Sequence, residues 1–273
     1  MSGLSKNEKL KNRPIGFMDS GVGGLSVLRE AVRVLPNEDF IYFGDSANAP
    51  YGTRTVKEIR ELTFKAVERL MEYDIKALVV ACNTATSAAI SELRSKYKDM
   101  PVIGIEPAVK PAVVCSNGGR IIVMATPMTL RQRKFRELIK TYENEADIVP
   151  LACEGLMEYV EQGVSDKEGL KDYLEKALGP YLTDNTESIV LGCTHYPFII
   201  KEIREYLGDR NIVLIDGSKG TSSQLKRKLE ENGLMRDEKH RGAVTILNSS
   251  DDHKMIELSE RLLQQNDPEV QND

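Results

Sequence analysis

The chain has 273 residues, room for one large or two modest domains, and its 41% hydrophobic and 29% charged residues are the balance of a globular protein with a sizeable core. Its 37 basic residues face 42 acidic ones, net −5, so no basic excess exists to neutralise a phosphate backbone, and nucleic acid is excluded as the main partner. The four cysteines, at 82, 115, 153 and 193, show no CxxC spacing, and the three histidines no HxxxH spacing, which excludes a zinc ribbon or a thioredoxin-type pair as a first reading.

Residues 1–13 are polar, no secretory apolar region precedes the first strand, and no apolar run approaches the roughly 18 residues of a membrane span. The expectation is a cytoplasmic protein with reduced thiols and no membrane partner. In chain order, apolar runs at 15–17, 40–43, 77–81, 102–105, 120–124, 147–151, 188–191, 212–215 and 243–247 read as strands. Between them, Leu25, Leu28, Val32 and Leu35 recur at helical spacing after a glycine-rich turn. Ile59, Leu62, Phe64, Ala66, Val67 and Leu70 mark a helix over 55–71, and 84–97 is helical again. Residues 163–172 are polar and read as a loop before a further helix, and 264–273 as a frayed end. Alternating β and α with continuous apolar strands predicts an α/β fold, parallel sheets covered by helices on both faces, and the strand number predicts two domains. Chain breaks are expected at Glu106-Pro107 through Pro111, because proline disfavours helix in the residue before it, and at Asp216-Gly217-Ser218.

Two segments echo one another. Ala77-Leu78-Val79-Val80-Ala81-Cys82-Asn83-Thr84 is an apolar strand ending in small-Cys-polar-Thr, and Ser188-Ile189-Val190-Leu191-Gly192-Cys193-Thr194-His195 repeats the plan after 193 − 82 = 111 residues. In parallel sheets ligands bind at the carboxyl ends of strands, so each half would bring one cysteine to its ligand edge. A helix following each cysteine would favour the thiolate and lower its pKa. Two such thiols in facing domains would flank one ligand. Cys115 and Cys153 lack this context and read as interior packing residues.

Asp19-Ser20-Gly21-Val22-Gly23-Gly24 follows the first strand. It matches neither GxGxxG nor GxxxxGK[ST]; the alternatives are a phosphate cradle or a tight turn whose amides and Ser20 hydroxyl grip a carboxylate, with Asp19 handling protons. Residues 45–52 also follow a strand and read as a second ligand-facing loop, or as a solvated connector. His195, two residues after Cys193, can shuttle protons near neutral pH. His240 and His253 lie in polar surroundings and read as solvent-facing.

With Gly16-Phe17-Met18-Asp19-Ser20-Gly21-Val22-Gly23-Gly24, Gly44 through Gly52, Ala81-Cys82-Asn83-Thr84-Ala85-Thr86 and Gly192-Cys193-Thr194-His195-Tyr196-Pro197 in this order and spacing, the chain resembles the glutamate racemases of the cofactor-independent Asp/Glu racemase family from about residue 15 to about residue 263. The His after the second Cys-Thr favours the glutamate enzymes over the aspartate racemases, which typically carry an acidic residue there. The resemblance implies interconversion of L- and D-glutamate without a cofactor or metal, supplying D-glutamate for peptidoglycan. It also implies two similar domains about a pseudo-twofold axis with the active site between them. One comprises 14–106 plus 216–264 and the other 107–215, with polar tails at 1–13 and 265–273. A homodimer is compatible with it.

The resemblance also assigns roles. Cys82 would act on D-glutamate and Cys193 on L-glutamate from opposite faces of Cα. Asp19 would sit beside Cys82 and His195 beside Cys193, each orienting a thiol or taking part in proton movement. Glu161, counted eight residues past Cys153, would support His195; Glu154 stands where the family commonly has proline, and Glu158 is a nearby competitor. Substrate would be held by Asp19, Ser20, Tyr51, Gly52, Asn83, Thr84, Thr194 and His195, where amides and hydroxyls suit carboxylates. The rivals are a two-cysteine racemase acting on aspartate, hydantoin or diaminopimelate, a non-catalytic binding module, and a pyridoxal phosphate racemase, for which no lysine stands in a convincing context.

Overall fold

A computed structural model describes residues 6–237 and 241–265. Its strands are β1 (Ile15–Asp19), β2 (Phe40–Gly44), β3 (Ala77–Val80), β4 (Val102–Gly104), β5 (Arg120–Ala125), β6 (Asp147–Ala152), β7 (Thr186–Leu191), β8 (Val213–Asp216) and β9 (Val244–Asn248), each at the expected apolar run. They form two all-parallel sheets, in the orders β4-β3-β1-β2-β9 and β6-β5-β7-β8. With β9 set aside, the orders are the same: β1 to β4 in one sheet correspond to β5 to β8 in the other. Each cysteine of the sequence echo therefore follows the third strand of its own sheet.

Every residue of β1, β2 and β3 is buried, as strands covered on both faces require. Neighbouring residues alternate between faces. Phe17 and Val79 join the large core that also receives Ile122, Ile189 and Cys193 of the other sheet, whereas Met18 and Val80 pack with Ile59, Val67 and Leu70 on the opposite face. The helix Val56–Met71 starts where Thr55 and Glu58 bond reciprocally, the Thr55 amide donating to Glu58 Oε2 at 2.9 Å and the Glu58 amide to Thr55 Oγ1 at 3.3 Å. Such a cap is worth about 1 kcal/mol.

The chain leaves the first sheet after β4. It bends through Glu106, and the helix Val109–Val114 already contains Pro111 in its first turn. It returns after β8, where the helix Ser218–Glu231 packs on the helix Leu25–Val34. The two crossings touch: a Cβ on Gly217 would lie 2.8 Å from the Glu106 carbonyl oxygen.

The structure departs from expectation in four places. Within 163–172 a helix begins at Lys167, because Asp166 accepts the Gly169 amide at 2.9 Å as its cap. Residues Lys6–Lys11 form a short helix in the polar leader, and its Lys11 carbonyl accepts from the buried Lys76 ammonium. Cys115 is exposed rather than interior: Val109, Ala112 and Val113 occupy the inward face of their helix, and the turn carries Val114 and Cys115 outward. The fourth departure concerns the Cys82 thiol and belongs to the site. His253 is exposed; His240 and residues 266–273 lie outside the described residues. Among the described residues no helix is long and apolar enough to cross a membrane.

Candidate active site

Four strand ends meet between the sheets. β1 delivers Asp19 and Ser20, β3 delivers Cys82, β5 delivers Thr126, and β7 delivers Cys193. They surround a small cavity of about 290 Å³ lined by Ser20, Tyr51, Cys82, Asn83, Cys193 and His195 among others. Neither lysine nor arginine lines it. A wider open cleft, about 1410 Å³, lies between Val160–Lys167 and the helix His253–Gln264 and contains neither cysteine.

Cys82 is the N-cap of the helix Asn83–Lys96; its Sγ lies 3.4 Å from both the Ala85 amide and Ser20 Oγ. The helix terminus was expected to lower its pKa. Instead burial pushes the thiol up to about 12, the nearby Asp19 charge adds to the rise, and the Ser20 and Ala85 contacts only partly oppose it. Desolvation of a sulfur anion outweighs one helix terminus. Cys193 differs in its setting. A 3₁₀ turn, Tyr196–Ile199, follows it before the helix Ile200–Leu207, so it caps no α-helix, and its Sγ meets His195 Nδ1 at 3.8 Å.

His195 is buried, and its Nε2 lies 3.3 Å from Glu161 Oε1 at the end of the helix Leu156–Glu161. Burial alone would pull the imidazolium down, but the Cys193 and Glu161 contacts outweigh it and hold its pKa well above the ordinary value. Glu158, the competitor, instead leaves Oε2 buried without a hydrogen-bond partner. Asp19 is fully buried at the end of β1; Oδ1 accepts the Gly21 amide at 2.9 Å and Oδ2 the Thr194 hydroxyl at 3.1 Å. Burial raises its pKa, opposed by the charge on His195.

The glycine loop owes its composition to close approach. A Cβ on Gly23 would collide with the His195 ring and lie 2.5 Å from Thr194 Oγ1, and one on Gly21 would lie 2.6 Å from Glu161 Oε1. Neither glycine needs a positive φ. The loop is thus the surface on which the residues after Cys193 rest, and Ser26 Oγ donates to the Thr194 carbonyl at 2.9 Å from the same side. From the 45–52 segment, Tyr51 and Gly52 line the cavity.

Asn83 and Thr84 line the cavity as well. Asn83 Oδ1 is buried with no partner in the chain, an acceptor that a ligand ammonium would satisfy. Thr84 Oγ1 lies 3.0 Å from Thr126 Oγ1 across the two sheets. Thr126, Met157 and Gly192 also line the cavity and were not anticipated. Thr126 had a legible signal: it follows β5 as Cys193 follows β7, and it caps the helix Pro127–Arg131. Among the described residues no cluster of three or more His, Cys, Asp or Glu side chains is arranged to hold a metal.

With this geometry in place, comparison with known proteins is informative. Residues 15–221 match the family model for Asp/Glu/hydantoin racemases. A glutamate racemase of Clostridium novyi (strain NT) is 57% identical over 251 residues, covering 92% of this chain and 96% of that protein. The crystal structure of glutamate racemase isoform RacE1 from Bacillus anthracis superposes with a TM-score of 0.83 at 32% identity, over 94% of this chain and 96% of that one. That of the Francisella tularensis glutamate racemase in complex with D-glutamate gives 0.80 at 30% identity, over 94% and 95%.

Proposed function

The chain belongs to the Asp/Glu/hydantoin racemase family, among its glutamate racemases, and from that premise we propose that Cys82 and Cys193 remove and return a proton at opposite faces of the glutamate Cα. The observation that carries this reading is that the two cysteines follow equivalent strands of two equivalent sheets and line one cavity. The binding of D-glutamate by the Francisella tularensis relative supports the substrate.

The steps balance in protons and electrons. A thiolate takes the Cα proton and becomes a thiol; the C–H pair stays on Cα as a carbanion delocalised into the carboxylate; the opposing thiol gives its proton to the other face and becomes a thiolate. The two cysteines thus exchange protonation states at each turnover. Cys82, whose thiol burial pushes up to about 12, is the proton donor in the direction that consumes L-glutamate. The Cα–H is a very weak acid, so the thiolate needs desolvation, close positioning and donors aimed at the developing charge. His195, 3.8 Å from Cys193 with its pKa held above the ordinary value, and Glu161 behind it serve the Cys193 side. Asp19 and Ser20 serve the Cys82 side. Ser20, Tyr51, Gly52, Asn83, Thr84 and Thr194 hold the substrate.

On this reading the lobes are 14–106 with 216–264, and 107–215. The reaction supplies D-glutamate for peptidoglycan in the cytoplasm. Incubation with L-glutamate and separately L-aspartate in deuterium oxide tests the substrate. Cα exchange with glutamate is expected; exchange with aspartate and none with glutamate would overturn it.

A further inference from the structure

We propose that Asp45 is a positioning residue for glutamate binding: its carboxylate fixes Tyr51 against the cavity and thereby sets the affinity of the site without taking part in proton transfer. The inference rests on the substrate reading above and adds a residue to it.

Asp45 is buried directly after β2, and among the described residues no cation pairs with it. A buried carboxylate without a counter-charge is costly unless its lone pairs are taken up by donors. Both oxygens are taken. Oδ2 accepts the Tyr51 hydroxyl at 2.6 Å, a short charge-assisted bond, and Oδ1 accepts Asn48 Nδ2 at 2.9 Å. The Asp45 amide donates to the Asp19 carbonyl at 3.0 Å, so the backbone that carries the clamp is registered on the end of β1. The clamp therefore transmits the position of Asp19 to Tyr51, whose ring packs with Met18, Phe43 and Cys82.

The rest of the loop is fastened from outside the cavity. Arg54 Nε and Nη2 donate to the Asn48 carbonyl at 3.0 and 2.8 Å. At the end of β9, Asn248 Nδ2 donates to Ser46 Oγ at 2.9 Å, and just beyond it Ser249 Oγ accepts the Ala47 amide at 3.0 Å. These contacts hold the loop backbone, whereas Asp45 accepts from the Tyr51 hydroxyl itself. A neutral amide at 45 has one acceptor oxygen for two donors, so the chemistry calls for a carboxylate rather than its isostere.

The test uses the full chain and the variants Tyr51→Phe, Asp45→Ala, Asp45→Asn and the Asp45→Ala/Tyr51→Phe double. Glutamate affinity is measured by calorimetry, and KM and kcat from both enantiomers by circular dichroism. Because Tyr51 is a wall and not a base, Tyr51→Phe and Asp45→Ala should each raise KM and Kd for both enantiomers about tenfold with kcat within about threefold of the parent. The double variant should be no worse than Asp45→Ala alone, and Asp45→Asn should fall between Asp45→Ala and the parent. If Asp45→Ala fails to fold, Tyr51→Phe and Asp45→Asn decide. Unchanged KM and Kd in Tyr51→Phe, additive losses in the double, or a fall in kcat with KM unmoved would overturn the inference alone. A parent chain that neither binds nor racemises glutamate would overturn the substrate reading and this inference with it.

Discussion

Thr194 Oγ1 donates to Asp19 Oδ2 across 3.1 Å, joining the residue after one cysteine to the strand end beside the other. Asp19 is the most buried carboxylate of the site, and its pKa is raised chiefly by that burial. A group whose folded pKa lies above its unfolded one contributes stability that is present below the unfolded value and lost as pH rises through the folded value. At pH 8 ionised Asp19 is therefore a cost. Asp19→Asn should melt at a higher temperature than the parent at pH 8, with the gain shrinking as pH falls towards the ordinary carboxylate range, while kcat drops by about 10²-fold or more. A variant that melts lower at pH 8 would contradict this assignment.

The His195–Glu161 contact has its own pH signature. Cys193 and Glu161 hold the imidazole pKa well above 6.5 against burial, so the stability they confer is complete below about pH 6.5 and is lost as pH rises through the raised value. Glu161→Gln should lower the melting temperature most near pH 6 and progressively less at higher pH. An equal deficit at pH 6 and pH 9 would mean that Glu161 acts by packing alone.

Gly23→Ala separates positioning from stability. The added methyl meets His195 and Thr194, so the residues that follow Cys193 must shift relative to the glycine loop. A displacement on the order of 1 Å costs about 10²-fold in rate. Retained fold by circular dichroism with kcat reduced to that extent is the expected outcome; unaltered kcat would show that the two sides of the cavity are not held in register here.

The cysteines should also divide by reactivity. Cys115 is exposed while Cys82, Cys153 and Cys193 are buried. Brief treatment with iodoacetamide should label Cys115 first and leave kcat intact, and Cys115→Ser should be as active as the parent. Mass spectrometry that finds Cys153 labelled ahead of Cys115 would contradict the burial order.

All nine strands were legible because buried parallel strands are continuous apolar runs, and the cysteine pair was legible because the same strand end occurs twice. The Glu161 contact was reachable by counting residues. What escaped depended on long-range packing. The rise at the Cys82 thiol reflects how completely Asp19 and its neighbours exclude water, which local sequence does not encode. Gly21 and Gly23 of the 19–24 turn are explained by the approach of Glu161 and His195, which follow it by more than a hundred residues. The exposure of Cys115 follows from the rotation of its helix on the second sheet, and Thr126 is hidden because the apolar run 120–124 stops one residue short of the strand end at Ala125.

The central claim is that two bases work on opposite faces of one carbon, and isotope incorporation during the first few per cent of turnover tests it directly. With L-glutamate in deuterium oxide, the D-glutamate formed should carry deuterium at Cα while the recovered L-glutamate remains protiated, because the thiol that delivers the proton is not the one that received it. Deuterium in the recovered L-glutamate at the same rate as in the product, or protium carried across into D-glutamate, would contradict the two-cysteine account.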